Sequence, residues 1–89
     1  MTYVQDEFAA MNAFIAEFPD AHIVRNALDG GEFAEAWLWI FDLAGKMKPA
    51  ISEALRSLIV NHLSKYYDEG FVIAAREQLD RLPLRSSAA

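Results

Sequence analysis

Residues 29–42 of the chain read DGGEFAEAWLWIFD. After the glycine pair, apolar residues recur at spacings of three and four, which is the pattern of a helix with one buried face. The members of this stripe are Phe33, Trp37, Ile40 and Ala44. The segment therefore predicts a helix, the third of the chain, that packs into a core and follows a glycine break.

A second stripe of the same helix combines carboxylates with a tryptophan. Its members are Glu32, Glu35, Trp39 and Asp42. A large aromatic side chain surrounded by charge is typical of a surface that anchors a partner. We therefore predict that these four residues bind a partner. The alternative is that Trp39 packs against the second or fifth helix, with the acidic side chains solvated around it.

Helical periodicity also dominates the rest of the chain, and no segment alternates as a strand would. The other predicted helices cover residues 2–18, 20–28, 49–67 and 71–82. We expect the third helix to end at Ala44 before Gly45, and the fourth to be the longest, starting at Pro49 or capped by Ser52. The fold class is all-α, a compact bundle of four to five short helices.

The first two helices carry specific start signals. Thr2 and Gln5 have the spacing of a capping box, and Asp20 is the expected cap of the second helix. The predicted apolar stripe of the first helix is Val4, Phe8, Met11, Ile15 and Phe18, and that of the second is Ile23, Val24, Ala27 and Leu28.

Length and composition limit the organisation of the chain. Its 89 residues are enough for one domain, predicted over residues 1–84 and followed by a flexible tail at 85–89. The absence of cysteine excludes disulfides and thiolate zinc sites. No leader pattern and no apolar run of about 20 residues occurs, so we expect a cytoplasmic protein that is not inserted in a membrane.

The charge balance bears on the kind of partner. Lysine and arginine together number 8 and aspartate and glutamate 13, which gives a formal net charge of −5 at pH 7. Direct binding of nucleic acid requires a basic footprint, so that class is disfavoured. An acidic surface suits a basic protein partner, although mild acidity also serves solubility alone.

Catalytic motifs and metal-ligand spacings are missing. His22 and His62 each lack a histidine or carboxylate at ligand spacing, and His62 lies on an apolar stripe, which favours a hydrogen-bonded core or boundary histidine. No nucleophile elbow occurs, and acidic residues flank the glycine pair, which is unsuitable for a phosphate cradle. We predict no enzyme activity, no metal and no cofactor.

A second candidate surface lies at the end of the fourth helix. It consists of Tyr67, Asp68 and Glu69, next to Tyr66. Because adjacent helical residues do not share a face, we expect one tyrosine to point outward and the other inward. The alternative is a capped helix end with one boundary tyrosine.

Residues 28–67 resemble small helical bacterial toxin-immunity proteins of the MafI type, related in role to colicin and contact-dependent-inhibition immunity proteins. The resemblance lies in Gly31-Glu32 opening a helix, in Ala36 and Ile40 after it, and in residues 51–53 (Ile-Ser-Glu) before the next long helix. It implies a bacterial protein that binds and blocks one cognate toxin domain, usually a nuclease. A basic nuclease surface would suit an acidic face that carries an aromatic side chain.

Two other hypotheses remain open. The chain is alternatively a self-associating bundle, a structural or regulatory homodimer that buries Trp39 against a second copy. It is also compatible with a phage-encoded inhibitor that mimics nucleic acid, although the interspersed basic residues make poor mimicry.

Overall fold

The computed structural model describes residues 2–85, which form helices joined by short turns. The elements are α1 (Tyr3–Glu17), a 3-10 segment (Pro19–Val24), α2 (Arg25–Asp29), α3 (Phe33–Met47), α4 (Glu53–Tyr66) and α5 (Glu69–Asp80). Within this range the only extended pairing is an isolated parallel bridge between Ile51 and Leu84. The predicted all-α bundle of four to five helices is therefore confirmed.

The start of α1 follows the predicted capping box. Thr2 Oγ1 accepts a hydrogen bond from the Gln5 N–H at 3.1 Å, and Gln5 Oε1 accepts one from the Thr2 N–H at 3.1 Å. The buried face of this helix differs from the predicted stripe, since Val4 is 48% exposed. The buried residues of α1 are Glu7, Ala10, Met11 and Phe14. This stripe has good helical spacing, but it contains a carboxylate that a search for apolar residues passes over.

The predicted second helix divides into two pieces. Residues Pro19–Val24 form the 3-10 segment, whose three-residue turn directs Ala21 and Val24 into the core and leaves Ile23 53% exposed. Asp20 does not cap it, because Pro19 already occupies the first turn and Phe18 is the N-cap residue, with no side-chain bond. The prediction of a single helix capped by Asp20 was therefore wrong.

The turn before α3 requires glycine. Gly31 has a φ of 79°, a left-handed conformation that residues with a Cβ rarely adopt. The predicted inner stripe of α3 is confirmed, since Phe33, Trp37, Ile40 and Ala44 are all buried.

The end of α3 was predicted wrongly. The helix continues through Gly45, next to Gln78 of α5, and ends where Lys48 turns left-handed at a φ of 49°. The Lys48 N–H still bonds to the Ala44 carbonyl at 2.7 Å. Helical hydrogen bonding thus continues past Gly45, because a glycine inside a helix weakens the helix without ending it.

Side-chain caps define the starts of α4 and α5. Ser52 Oγ accepts from the Leu55 N–H, and Asp68 Oδ1 accepts from the Phe71 N–H, so α5 begins two residues before the predicted Phe71. At 14 residues α4 is slightly shorter than α1 and α3, which have 15 each. The expectation that it is the longest helix was wrong. Of two neighbouring apolar residues of α4, Leu58 is 44% exposed and Ile59 is fully buried.

The helices enclose one core. α1 packs on α4, α4 on α5, and α3 on α5, α2 and the 3-10 segment. The C-terminal end is fixed beside the start of α4, because the Ile51 N–H bonds to the Pro83 carbonyl and the Arg85 N–H to the Ile51 carbonyl. Arg85 is the first residue of the predicted tail, and residues 86–89 lie outside the described range. No helix formed by the described residues has the length and apolar character needed to cross a bilayer.

Candidate partner-binding surface

The two tryptophans of α3 have opposite environments. Trp37 is fully buried, whereas Trp39 is 64% exposed. Residues two positions apart on a helix point roughly 160° away from each other, so the same geometry that buries one exposes the other. The structure therefore decides between the two readings of Trp39 and places its indole on the outside of α3.

The carboxylates of the predicted stripe accompany Trp39 on this outer side. Glu32, Glu35 and Asp42 are all exposed. The carboxyl groups of Glu32 and Glu35 lie close enough to share a hydrogen bond, and this bond, together with their charge repulsion, raises the pKa of Glu35. Among residues 2–85 neither of these two carboxylates forms an ion pair with a lysine or arginine.

Asp42 differs from the two glutamates because the chain supplies it with a cation. Lys46 Nζ lies 3.1 Å from Asp42 Oδ2, one helical turn further along α3, and both side chains are well exposed. An exposed pair at this spacing is weak and exchanges readily with water or with another charged group. We define the outer face of α3 as Glu32, Glu35, Leu38, Trp39 and Asp42.

Leu38 was not predicted as part of this face. Its side chain is 57% exposed and lies on the flank of α3 that faces α5. Together with Trp39 it gives the outer face two large apolar side chains. Their helical spacing leaves Glu35 and Asp42 between them. The signal was present in the sequence, because a buried stripe on one side of α3 forces Leu38 outward.

Most residues of the second predicted surface form hydrogen bonds within the chain. The Tyr67 hydroxyl donates to Glu7 Oε1 at 2.5 Å, and Asp68 caps α5. The Tyr66 hydroxyl donates to Asp6, and both tyrosines are half-buried, so the expectation of one outward tyrosine was wrong. Of the three candidate residues only Glu69 is exposed without a bond of this kind.

Sequence reasoning missed a buried polar cluster between α1, α3 and α4. Glu7 is fully buried, and its carboxylate accepts from Trp37 Nε1 at 2.7 Å as well as from Tyr67. His62 is 7% exposed, and its Nε2 lies 3.1 Å from Glu7 Oε2, within ion-pair distance. The ring nitrogen is not aimed well enough for a hydrogen bond, so His62 is buried as predicted but not hydrogen-bonded through Nε2.

The position of this cluster indicates a structural role. A carboxylate with no exposed surface cannot meet a substrate unless the helices separate. Two directed donors compensate part of the cost of burying its charge. The cluster thus fixes the rotation of α1 against α3 and α4. Among residues 2–85 no three histidine or acidic side chains converge as metal ligands.

Comparison with family models, with curated proteins and with solved structures gave no match to this chain.

Proposed function

We propose that this chain is an inhibitor of the immunity type, which binds a cognate bacterial toxin domain with a basic, nuclease-like surface and blocks it by occlusion. The observation that carries the proposal is Trp39, an indole 64% exposed on a helix side occupied by carboxylates. The binding surface is the outer face of α3. Glu69, exposed at the start of α5, is a further candidate contact, and the complex forms in the bacterial cytoplasm.

Tryptophan is the side chain most often found at the energetic centre of protein interfaces. Leaving an indole in water forgoes the free energy of its burial, which is about 2–3 kcal/mol for a large apolar side chain. Within residues 2–85 the indole of Trp39 stays 64% exposed and leaves most of this free energy unrecovered, whereas Trp37 is fully buried. Burial of the Trp39 indole in an interface with a partner recovers this free energy.

The charge of the outer face favours a basic partner. The carboxyl groups of Glu32 and Glu35 lie close together, and their hydrogen bond, followed by their charge repulsion, raises the pKa of Glu35. Among the described residues no lysine or arginine relieves that repulsion. A lysine or arginine from a partner would do so. With the net charge of −5, such a surface also accelerates encounter with a basic protein. Inhibition then requires only that the bound chain covers the phosphate-binding surface of the toxin.

A homodimer is the second candidate, and the exposure of Leu38 and Trp39 together favours it. Pairing α3 with a second α3 would, however, bring Glu35 and Asp42 into a shared interface with like charges. Size-exclusion chromatography with light scattering distinguishes the two. A monomer at high micromolar concentration contradicts the homodimer.

Affinity capture with matched variants tests the proposal. We expect wild-type chain, used as bait in a lysate of the source bacterium, to retain a nuclease whose activity is lost when an equimolar amount of the chain is added. Trp39→Ala and Glu35→Lys should each weaken this binding by at least about tenfold, which corresponds to about 1.4 kcal/mol. Both should leave helical content and melting temperature nearly unchanged, because the residues are exposed.

Two surface variants serve as controls. Leu58→Ala truncates another exposed apolar side chain on α4, and Asp80→Lys changes the net charge by the same amount as Glu35→Lys. Neither should alter capture. Loss of folding in Trp39→Ala, equal binding by all four variants, or a captured protein that stays fully active beside the chain would contradict the proposal.

A further inference from the structure

A groove runs between α3 and α5 beside the outer face of α3. It encloses about 330 Å³. Its apolar walls are Leu38, Phe41 and Phe71, and its α5 side contains two small residues, Ala74 and Ala75. Alanine has a short side chain, so Ala74 and Ala75 leave space unfilled beside the larger residues of the groove.

The groove is bordered by residues 38–42 of α3 and residues 71–78 of α5. The adjoining hollow is bordered by residues 41–48 and residues 78–82, so later residues of α3 meet later residues of α5. The two helices therefore run in the same general direction, and Gly45 lies next to the Gln78 side chain. A trough between two parallel helices has the shape that accepts a third helix.

The charges along the groove differ from one end to the other. Asp42 and Glu77 are its charged lining residues, and both are acidic. The adjoining hollow at the C-terminal ends of the two helices, of about 240 Å³, shares Asp42 with the groove, and its other charged lining residues are Lys46, Lys48 and Arg81. Lys46 is paired with Asp42, but an exposed pair of this kind exchanges readily with another cation. Glu77 forms no ion pair among the described residues, so the apolar part of the groove has an acidic rim.

We propose that this groove receives an apolar side chain from a basic amphipathic helix of the partner, with lysine or arginine residues beside that side chain meeting Asp42 and Glu77. This inference rests on the proposed function, since it specifies how the basic partner docks against α3. Leu38 and Asp42 belong both to the groove and to the outer face, so one partner helix lying across α3 contacts both. The occupant is a helix because anchors at spacings of three and four fit a trough of this shape.

A synthetic peptide provides the test. The probe is a helical peptide of about 15 residues, built from leucine on one face and lysine on the other, and a second peptide has glutamate in place of lysine. We expect the leucine–lysine peptide to shift the backbone amide signals of Leu38, Ala74 and Gln78 in the isotope-labelled chain. The leucine–glutamate peptide should produce no such shifts, because it meets the acidic rim with like charge.

A variant that fills the groove separates insertion from general charge attraction. Ala74 is exposed, so Ala74→Leu occupies the groove without disturbing the core or the net charge. It should weaken binding of the leucine–lysine peptide by about tenfold or more. Ala54→Leu adds the same side chain at an exposed position of α4 outside the groove and should change the affinity less than about twofold.

The outcomes also separate this inference from the proposed function. If Ala74→Leu binds the peptide as tightly as wild type, or if the leucine–glutamate peptide binds equally well, the groove is not the docking site. If Ala74→Leu abolishes a self-association seen by light scattering, the occupant is a second copy and the inference is overturned. If Ala74→Leu captures the toxin normally while Trp39→Ala does not, the proposed function stands and the groove assignment fails.

Discussion

Glu7 carries an ionisable carboxyl group, yet its side chain is fully buried. A fully buried carboxylate is stable only with compensating donors, and Glu7 has the indole N–H of Trp37 and the hydroxyl of Tyr67. These bonds join α1 to α3 and to the end of α4. Removing the acceptor leaves the buried indole N–H of Trp37 unsatisfied, and it leaves the half-buried Tyr67 hydroxyl only its 3.4 Å contact with Tyr3. An unsatisfied buried donor costs more than the bond itself contributes.

We predict that Glu7→Leu lowers the free energy of unfolding by about 3–5 kcal/mol. Urea denaturation followed by circular dichroism measures it. Glu7→Gln should cost less, because its amide oxygen still accepts a bond from one of the donors.

The variant Tyr67→Phe tests whether the loss of stability in Glu7→Leu comes from donors that are left without an acceptor. In the Glu7→Leu background, removal of the hydroxyl should destabilise much less than it does in wild type. Strict additivity of the two changes would show that the hydrogen bond between Glu7 and Tyr67 contributes nothing to stability.

At the scale of the helix, the two ends of α3 use left-handed residues of different kinds. Gly31, before the helix, adopts this conformation at little cost. Lys48, which ends the helix, carries a Cβ and pays about 1–2 kcal/mol to adopt it. The helix ends there because Pro49 follows directly, and a residue before proline is disfavoured in the right-handed helical region.

We predict that Lys48→Gly raises the free energy of unfolding by about 1 kcal/mol. Thermal and urea denaturation measure it. The matched control is Lys46→Gly, two residues earlier within the helix, which should lower the free energy of unfolding by about 1 kcal/mol. If both glycines destabilise the chain equally, the left-handed conformation of Lys48 carries no strain.

Across the whole molecule, the three tyrosines connect the start of α1 to the end of α4. The Tyr3 and Tyr67 hydroxyl oxygens lie 3.4 Å apart, and Tyr66 and Tyr67 donate to Asp6 and Glu7. The pKa of each phenol is raised above its ordinary value of 10.0. Burial is the main cause for Tyr3 and Tyr67, and the hydrogen bond to Asp6 is the main cause for Tyr66.

A raised phenol pKa links folding to alkaline pH. The folded chain holds the proton more tightly than the unfolded chain, so the stabilisation is complete below pH 10.0 and is lost as the pH rises above that value. We predict that phenolate absorbance in the native protein appears only well above pH 10.0, together with loss of the helical signal. The chain in denaturant should titrate near 10.0. Native phenolate at pH 10.0 with the helices intact would contradict the hydrogen-bonded arrangement.

Predictions from the sequence were reliable where they depended on interactions between residues close together in the chain. Thr2 caps α1 as predicted, and Ser52 caps α4, which was one of its two predicted starts. Such a cap bonds to an N–H only three residues away. The buried stripe of α3 was likewise readable from spacing.

The failures have different causes. Val4 is exposed because the buried stripe of α1 runs through Glu7. Pro19 already occupies the first turn that Asp20 was expected to cap, and Gly45 only weakens a helix that continues through it.

The sequence by itself determined an all-α chain, the capping box of its first helix, and a third helix with one apolar and one acidic side. Only the tertiary structure decided that Trp39 faces outward, that Glu7 faces inward, and that α3 and α5 leave a groove between them. The physical reason is that spacing along a helix gives the relative directions of its side chains, whereas the neighbouring helices decide which of those directions is buried.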